Sequence, residues 1–273
     1  MNDSYIMVIA KNKHGRKRMT KRWDDWIWIV FLIWYVVGII LVSLDWLPAA
    51  LQWANAVFLY LAGFLAILYA MKRIKGRIGA VIAICIMLTT IFAESLGVHY
   101  GLIFGRYHYE QDFGVKLFGV PITIGFAWIM VIFTSMAHYE FLLERKKTGV
   151  GALIYSSVTS LLAVTMDLII DPVAYIGREY WIWDEGGLYY QIPSQNFLGW
   201  FFVSFVLQFI LYLIVKRDGE SGRWTSKMKR LYFLVIFMFM VTAMVEGLWL
   251  AVFVTLAFYT LSLLIRLRLE KVK

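Results

Sequence analysis

Charged residues and cysteine are both scarce in this sequence. Only 16% of its 273 residues are charged, against about 25% in a soluble domain, while 61% are apolar and 18% aromatic. That balance excludes an ordinary water-soluble enzyme. The single cysteine, Cys85, lies inside an apolar run. It excludes a disulfide framework and a cysteine-based zinc or iron–sulfur centre, and it says nothing about redox compartment. The four histidines, His14, His99, His108 and His138, supply no pair three or four apart, so the multi-histidine iron sites of oxygen-dependent membrane desaturases and hydroxylases are excluded. There is no Walker-type loop, no dinucleotide glycine fingerprint and no Gly-x-Ser-x-Gly elbow, which leaves nucleotide use and serine hydrolysis unsupported. The net charge of +9 does not point to nucleic acid, because the basic residues stand in short clusters between apolar runs rather than on one face of a folded domain.

What the chain has instead is long apolar runs. A bilayer core of about 30 Å needs roughly 20 apolar residues per helix, and six stretches meet that: Trp26 to Leu44, Leu51 to Ala70, Ile78 to Gly97, Gly119 to His138, Val150 to Ile170 and Phe197 to Val215. A last stretch, Leu231 to Ile265, would reach about 50 Å as one helix, so it is predicted to form two short spans turning near Glu246-Gly247. The expectation is an all-α, polytopic membrane bundle of about eight spans, or seven if the last stretch does not split. Cytoplasmic loops collect Lys and Arg. Lys11 to Arg22, Lys72 to Arg77, Arg145 to Lys147, Lys216 to Arg230 and Arg266 to Lys273 hold the basic clusters, which puts the N-terminus in the cytoplasm. The outward loops contain only Arg106, Lys116 and Arg178. No short apolar core ends in a small-residue cleavage site, so the first span is expected to stay as an anchor. The chain thus reads as a multi-pass cell-membrane protein: basic cytoplasmic tails at 1–25 and 266–273, one membrane domain at 26–265, and outer loops at 98–118 and 171–196.

Four acids are embedded in or beside these spans: Glu94, Asp167, Asp171 and Glu246. All four are predicted at the outer side, and intramembrane carboxylates mark function by default. Asp167-x-x-x-Asp171 resembles half of the magnesium site of membrane prenyltransferases, but no second aspartate-rich motif accompanies it. The outer loops are aromatic, with Tyr107 and Tyr109 in the first and Trp181, Trp183, Tyr189 and Tyr190 in the second, interleaved with Gly, Pro and Asn196. Irregular backbone at membrane depth survives only when buried or lining a cavity, so these loops are expected to close a pocket. They also echo each other: Trp128 follows Pro121 by seven positions, as Trp200 follows Pro193, and Tyr109 and Trp181 each lie twelve before their proline. If this is an internal repeat, each helical hairpin contributes an acid and an aromatic at equivalent depth. Gly97, Gly101 and Gly105 recur every four residues, a spacing that permits close helix packing, the expected use, or close approach of a ligand.

Acid/base chemistry by carboxyl groups in an aromatic, lipid-accessible cavity remains, with no metal or cofactor implied. Burial favours the neutral carboxyl, so one of Glu94, Asp167 and Asp171 is expected to donate a proton while a better-solvated partner stays ionised. Such a site can protonate an alkene. Trp, Tyr and Phe faces then stabilise the resulting cation by about 0.5–2 kcal/mol each, and preorganised electrostatics supply most of the rest.

The run Gly101 to Pro121 (Gly-x-x-Phe-Gly-x-Tyr-x-Tyr, then Gly-Val-Pro) and the run Asp167 to Trp200 (Asp-x-x-x-Asp-Pro-Val-Ala, Tyr-Trp-x-Trp, Gly-x-Tyr-Tyr-x-Ile-Pro, Asn-Phe-x-Gly-Trp) resemble the CruF-type carotenoid biosynthesis family. Its members are acyclic-carotenoid hydratases, the bisanhydrobacterioruberin hydratases among them. The resemblance implies addition of water to a terminal isoprenoid double bond, giving a tertiary alcohol without oxygen or a redox cofactor. Two departures, Gln191 and the Gly125-Phe-Ala stretch before Trp128, bear on substrate length or end group. The resemblance supplies no catalytic assignment, so the roles rest on the residues. Asp167 or Glu94 is the candidate proton donor and Asp171 orients water. Tyr107, Tyr109, Trp128, Trp181, Trp183, Tyr190 and Trp200 line the polyene pocket, and Asn196 holds water or the product hydroxyl. The expected partners are an acyclic carotenoid or related polyisoprenoid, water, membrane lipid and other carotenoid-pathway enzymes. Two alternatives stay open: a transporter using the acids as a proton relay, and a scaffold that binds the pigment unchanged.

Overall fold

The computed structural model describes residues 3–44, 46, 53–111, 113–215 and 222–271, and for residues 3–22 the helical backbone only. Leu51, Lys216, Arg217 and Lys273, used above to draw spans and topology, lie outside the described residues. The fold is all-α. Seven helices are long and apolar enough to cross a membrane: α1 (Asp3–Ser43), α2 (Trp53–Arg73), α3 (Arg77–Tyr100), α6 (Gly149–Pro172, running on through a π-helical turn at Val173–Gly177), α7 (Ser194–Ile214), α8 (Gly222–Val245) and α9 (Trp249–Lys271). An eighth apolar helix, α4 (Ile122–His138), has only 17 residues, about 26 Å at 1.5 Å per residue.

The helix α4 still passes from one end of the bundle to the other. Its C-terminal side continues into a single turn, α5 (Glu140–Leu143), where Glu140 pairs with Arg73 at the end of α2, 2.5 Å apart, and accepts from Thr225 near the start of α8. Its N-terminal side begins at Pro121, beside the aromatic loops. Residues Trp128 to His138 of α4 are all buried. Apolar side chains all round its circumference fit a helix enclosed by other helices rather than one facing lipid, and an enclosed helix need not match the bilayer thickness.

The last apolar stretch breaks where predicted, for a local reason. Gly247 adopts φ +73°; Leu248 N–H donates to Ala243 O at 2.7 Å and Gly247 N–H to Met244 O at 3.2 Å, the paired bonds of a glycine-terminated helix end. The two spans are full length rather than short, because α8 starts nine residues before Leu231 and α9 runs through Arg266 and Arg268 to Lys271.

Several polar side chains of the helices are satisfied within the bundle, as a membrane favours. In α6, Ser156, Thr159 and Thr165 donate back to the carbonyls of Ala152, Tyr155 and Leu161 at 2.8, 2.7 and 2.6 Å. Buried Gln208 ties three helices together: it accepts from Tyr155 O–H at 3.0 Å and donates to Ile132 O at 2.8 Å. Pro172 cannot donate to Leu168 O four residues back, and Tyr189 O–H takes that carbonyl at 2.8 Å. The helix then widens into the π-turn.

The glycine spacing Gly97, Gly101, Gly105 is not a helix-packing stripe. The helix α3 ends at Tyr100; Gly101 caps it at φ +68°, and Gly105 lies in the following loop at φ +90°.

Candidate functional site

The two aromatic loops meet. Tyr107–Tyr109 (β1) pairs antiparallel with Trp181–Trp183 (β2), in the register Tyr107 to Trp183, His108 to Ile182 and Tyr109 to Trp181. The positions that echo each other in sequence are therefore neighbours: Tyr109 faces Trp181 across the ladder, and Trp128 stacks on Trp200 with centroids 4.0 Å apart and planes 19° from parallel. Pro121 and Pro193 precede their helices with nearly identical backbones, φ/ψ of −59°/135° and −58°/133°. The hairpins α3–α4 and α6–α7 thus present equivalent aromatics to a common seam.

A cavity of about 240 Å³ lies at that seam. Two acids, Glu94 and Asp171, stand in its wall together with the groups that hold them. Glu94, 6% exposed, accepts from Tyr107 O–H and from Trp128 Nε1–H, the latter at 2.7 Å. Burial, with the Glu94 carboxyl beside it, holds the Tyr107 hydroxyl well above the usual tyrosine range, so Tyr107 stays the donor of that bond. Tyr109 O lies 3.3 Å from Tyr107 O and extends the chain.

The second group is a triplet. The Asn196 amide donates through Nδ2 to both Asp167 Oδ2 at 2.9 Å and Asp171 Oδ2 at 2.5 Å. All three residues are buried. Asp167 and Asp171 are four apart on α6 and so lie on one face, while Asn196 comes from the first turn of α7. Asp167 Oδ1 has no donor among the described residues. Asn196 is thus the donor shared by both carboxyl groups.

Glu94, Asp171, Asn196, Tyr107, Tyr109, Trp128, Trp181, Trp183 and Trp200 all line the cavity. Asp167 does not; it lies behind Asp171 and Asn196. Tyr190 is not part of the lining either: its hydroxyl accepts from Ala251 N–H at 3.2 Å, near the start of α9. Glu246 stands apart from the other acids, in an ion pair with Arg178 at 3.0 Å, at a turn where both side chains are partly exposed. Nor are embedded acids confined to this end, since Glu140 is buried with Arg73 at the other. Among the described residues no cluster of His, Cys, Asp and Glu could hold a metal ion.

Two features of the site escaped the sequence. The indole Nε1 of Trp183 is buried and without a partner among the described residues, although the ring lines the cavity and packs on Tyr107 at 4.8 Å. Helix α1 also contributes to the lining through Trp34, Val37, Gly38 and Leu41.

The sequence profile of the carotenoid biosynthesis protein family matches residues 54–262. The chain belongs to that family. The matched region runs from α2 into α9 and contains both hairpins, so the acids, the stacked tryptophans and the loop ladder all fall inside it. No curated protein and no solved structure matches the chain. Family membership places this membrane protein in carotenoid biosynthesis and leaves the reaction to be read from the site.

Proposed function

We propose that the protein hydrates the terminal isoprenoid double bond of an acyclic carotenoid. The observation that carries this reading is the pairing, inside one aromatic cavity, of two carboxyl arrangements with opposite hydrogen-bonding demands. Glu94 receives two donors and is held as a carboxylate acceptor. Asp167 and Asp171 share a single amide, an arrangement that suits a pair holding one proton. Asp171, which lines the cavity, donates that proton to the less substituted alkene carbon, and the positive charge develops on the tertiary carbon. The faces of Trp128, Trp183 and Trp200 stabilise it. Water attacks the cation and Glu94 accepts the proton the water loses. Return of that proton to the aspartate pair closes the cycle, so the net change is one water added and no electron transferred. Asp167 keeps Asp171 loaded rather than meeting substrate.

A proton relay for transport calls for carboxyls spaced through the bilayer. Glu94, Asp167 and Asp171 gather at one end, and Glu140 at the other is committed to Arg73, which favours chemistry over transport. The basic end is assigned to the cytoplasm by the positive-inside rule, which puts the site in the outer half of the cell membrane. Its partners on this reading are the polyene, water, lipid and the enzymes that make the polyene and modify the alcohol.

The test is co-expression with enzymes that make an acyclic carotenoid, without molecular oxygen and in water enriched in heavy oxygen, followed by pigment mass analysis. A product heavier by one labelled water is expected. Unchanged pigment would overturn hydration and leave a pigment-binding scaffold.

A further inference from the structure

The cavity is smaller than the ligand just proposed for it. Pockets that enclose drug-sized molecules run to about 300–1,000 Å³, and a carotenoid is larger than such a molecule, so about 240 Å³ holds its end and leaves the rest to lie elsewhere. Away from the acids the lining turns apolar and passes between α1, α2 and α8, with Val37, Gly38 and Leu41 on α1, Phe58 on α2, and Met238 and Phe239 on α8. Polar side chains on this arm are already occupied: Asn55 donates to Tyr180 O–H at 2.6 Å and Thr242 donates back to Met238 O at 3.0 Å. Nothing along it selects for a polar ligand.

Among the described residues the arm has no closed end. Val37 lines the cavity yet is 52% exposed, and Trp53 likewise at 55%, so here the cavity wall and the outer surface are the same side chains. Between them Gly38 leaves a gap, for a Cβ placed on it would meet nothing within 4 Å. The α1 wall also precedes residue 54, where the family match begins, so the residues at this mouth are not ones that the family profile describes.

We infer that the arm between α1, α2 and α8 is the channel for the polyene tail and opens sideways into the bilayer at Gly38. This rests on the proposed function for the identity of the end group. Its consequence is specificity of one kind only: the cavity reads the terminal isoprenoid unit, while surplus chain lies in lipid and goes unmeasured. Lipid tails and a polyisoprenoid are equally apolar, so each further isoprenoid unit that stays in the membrane adds nothing to binding.

The experiment uses the full chain in lipid nanodiscs and measures quenching of its tryptophan fluorescence by acyclic polyenes of about 30, 40 and 50 carbons. Dissociation constants within roughly threefold of one another are expected. Gly38→Trp, which fills the mouth, should weaken all three by about tenfold or more. Leu41→Trp blocks the same wall from one turn away and should repeat the loss, with thermal midpoints showing that both variants are folded. Affinity that differs by more than about tenfold between the shortest and longest polyene, a folded Trp variant that binds like the parent, or failure of all three polyenes to bind would each overturn the channel. Binding that obeys the channel without heavy-oxygen incorporation would sink hydration alone, so the two readings fail separately.

Discussion

Trp128 and Trp200 stack at 4.0 Å between centroids, and the Trp128 indole N–H reaches Glu94 Oε1 at 2.7 Å. One ring therefore does two things: it joins the two hairpins and it fixes a carboxylate. Trp128→Phe keeps an aromatic ring in the stack and removes the donor. A hydrogen bond to a charged group contributes about 1.5–3 kcal/mol, so pigment hydration should fall roughly ten- to a hundredfold. Trp200→Phe leaves Glu94 with its donor and should cost less than about tenfold. Equal losses in the two variants would mean that packing, not the carboxylate bond, is what matters.

Asn196 is the shared donor of the aspartate pair. Asn196→Leu removes it without adding charge, and hydration should drop about a hundredfold, a usual scale for general acid/base groups. Asp171→Asn should be the more severe of the aspartate variants, abolishing product. Asp167→Asn should lower kcat with KM for the polyene unchanged, because Asp167 does not line the cavity. An Asp167→Asn enzyme with normal kcat would remove Asp167 from the mechanism.

Trp183 carries a buried donor with no partner among the described residues, in the wall of the cavity. A ligand oxygen is the natural acceptor. Trp183→Phe should weaken binding of the tertiary alcohol product about tenfold, the worth of one hydrogen bond, and leave binding of the unhydrated polyene unchanged. Titration of both pigments into the variant reads the difference, and parallel loss for both would assign Trp183 to packing alone.

Tyr189 replaces the helical donor that Pro172 lacks. Tyr189→Phe orphans Leu168 O, at a cost of about 1–3 kcal/mol in thermal or denaturant unfolding. In a Pro172→Ala background the backbone N–H returns, and the same Tyr189→Phe change should cost less than about 1 kcal/mol. An undiminished cost there would mean that Tyr189 contributes chiefly by packing.

At the basic end, Glu140→Ala leaves the buried Arg73 guanidinium without this carboxylate and should destabilise the protein by about 3–5 kcal/mol. Arg73→Met combined with Glu140→Leu should recover most of that loss, since an apolar pair of similar volume often substitutes for a buried ion pair. Double-mutant unfolding curves measure the recovery.

The spans, the break at Gly247 and the membrane placement were legible because apolar run length and glycine chemistry are local properties. So were the echoing aromatics, although spacing alone could show only that Tyr109 and Trp181, or Trp128 and Trp200, are equivalent, not that they touch. Other parts were hidden for physical reasons. Hydropathy cannot separate burial in protein from burial in lipid, so α4 looked like its neighbours. Glu140 follows the apolar run at a helix end, where an acid usually meets water, and only the fold reveals Arg73 and Thr225 beside it. Asn196 read as one polar residue in a loop, since its position between two carboxyls depends on how α7 packs against α6. Tyr190 belonged to the aromatic cluster by sequence, but its backbone at φ +49° accompanies a side chain directed to α9.

The enclosure of α4 constrains how the chain can be made. Helices α1 to α3 leave the ribosome before α4, whereas α6, α7 and α8, which cover much of it, come after. During synthesis the face bearing His138, which in the finished protein packs on Tyr232 of α8 and Tyr259 of α9, has no protein neighbour on that side. A newly inserted α4 therefore has only α2, α3 and the hydropathy of its own Ile129 to Phe133 to hold it until the second half of the chain arrives. Assembly is thus committed late, when α8 closes over α4 and the cavity acquires its last wall.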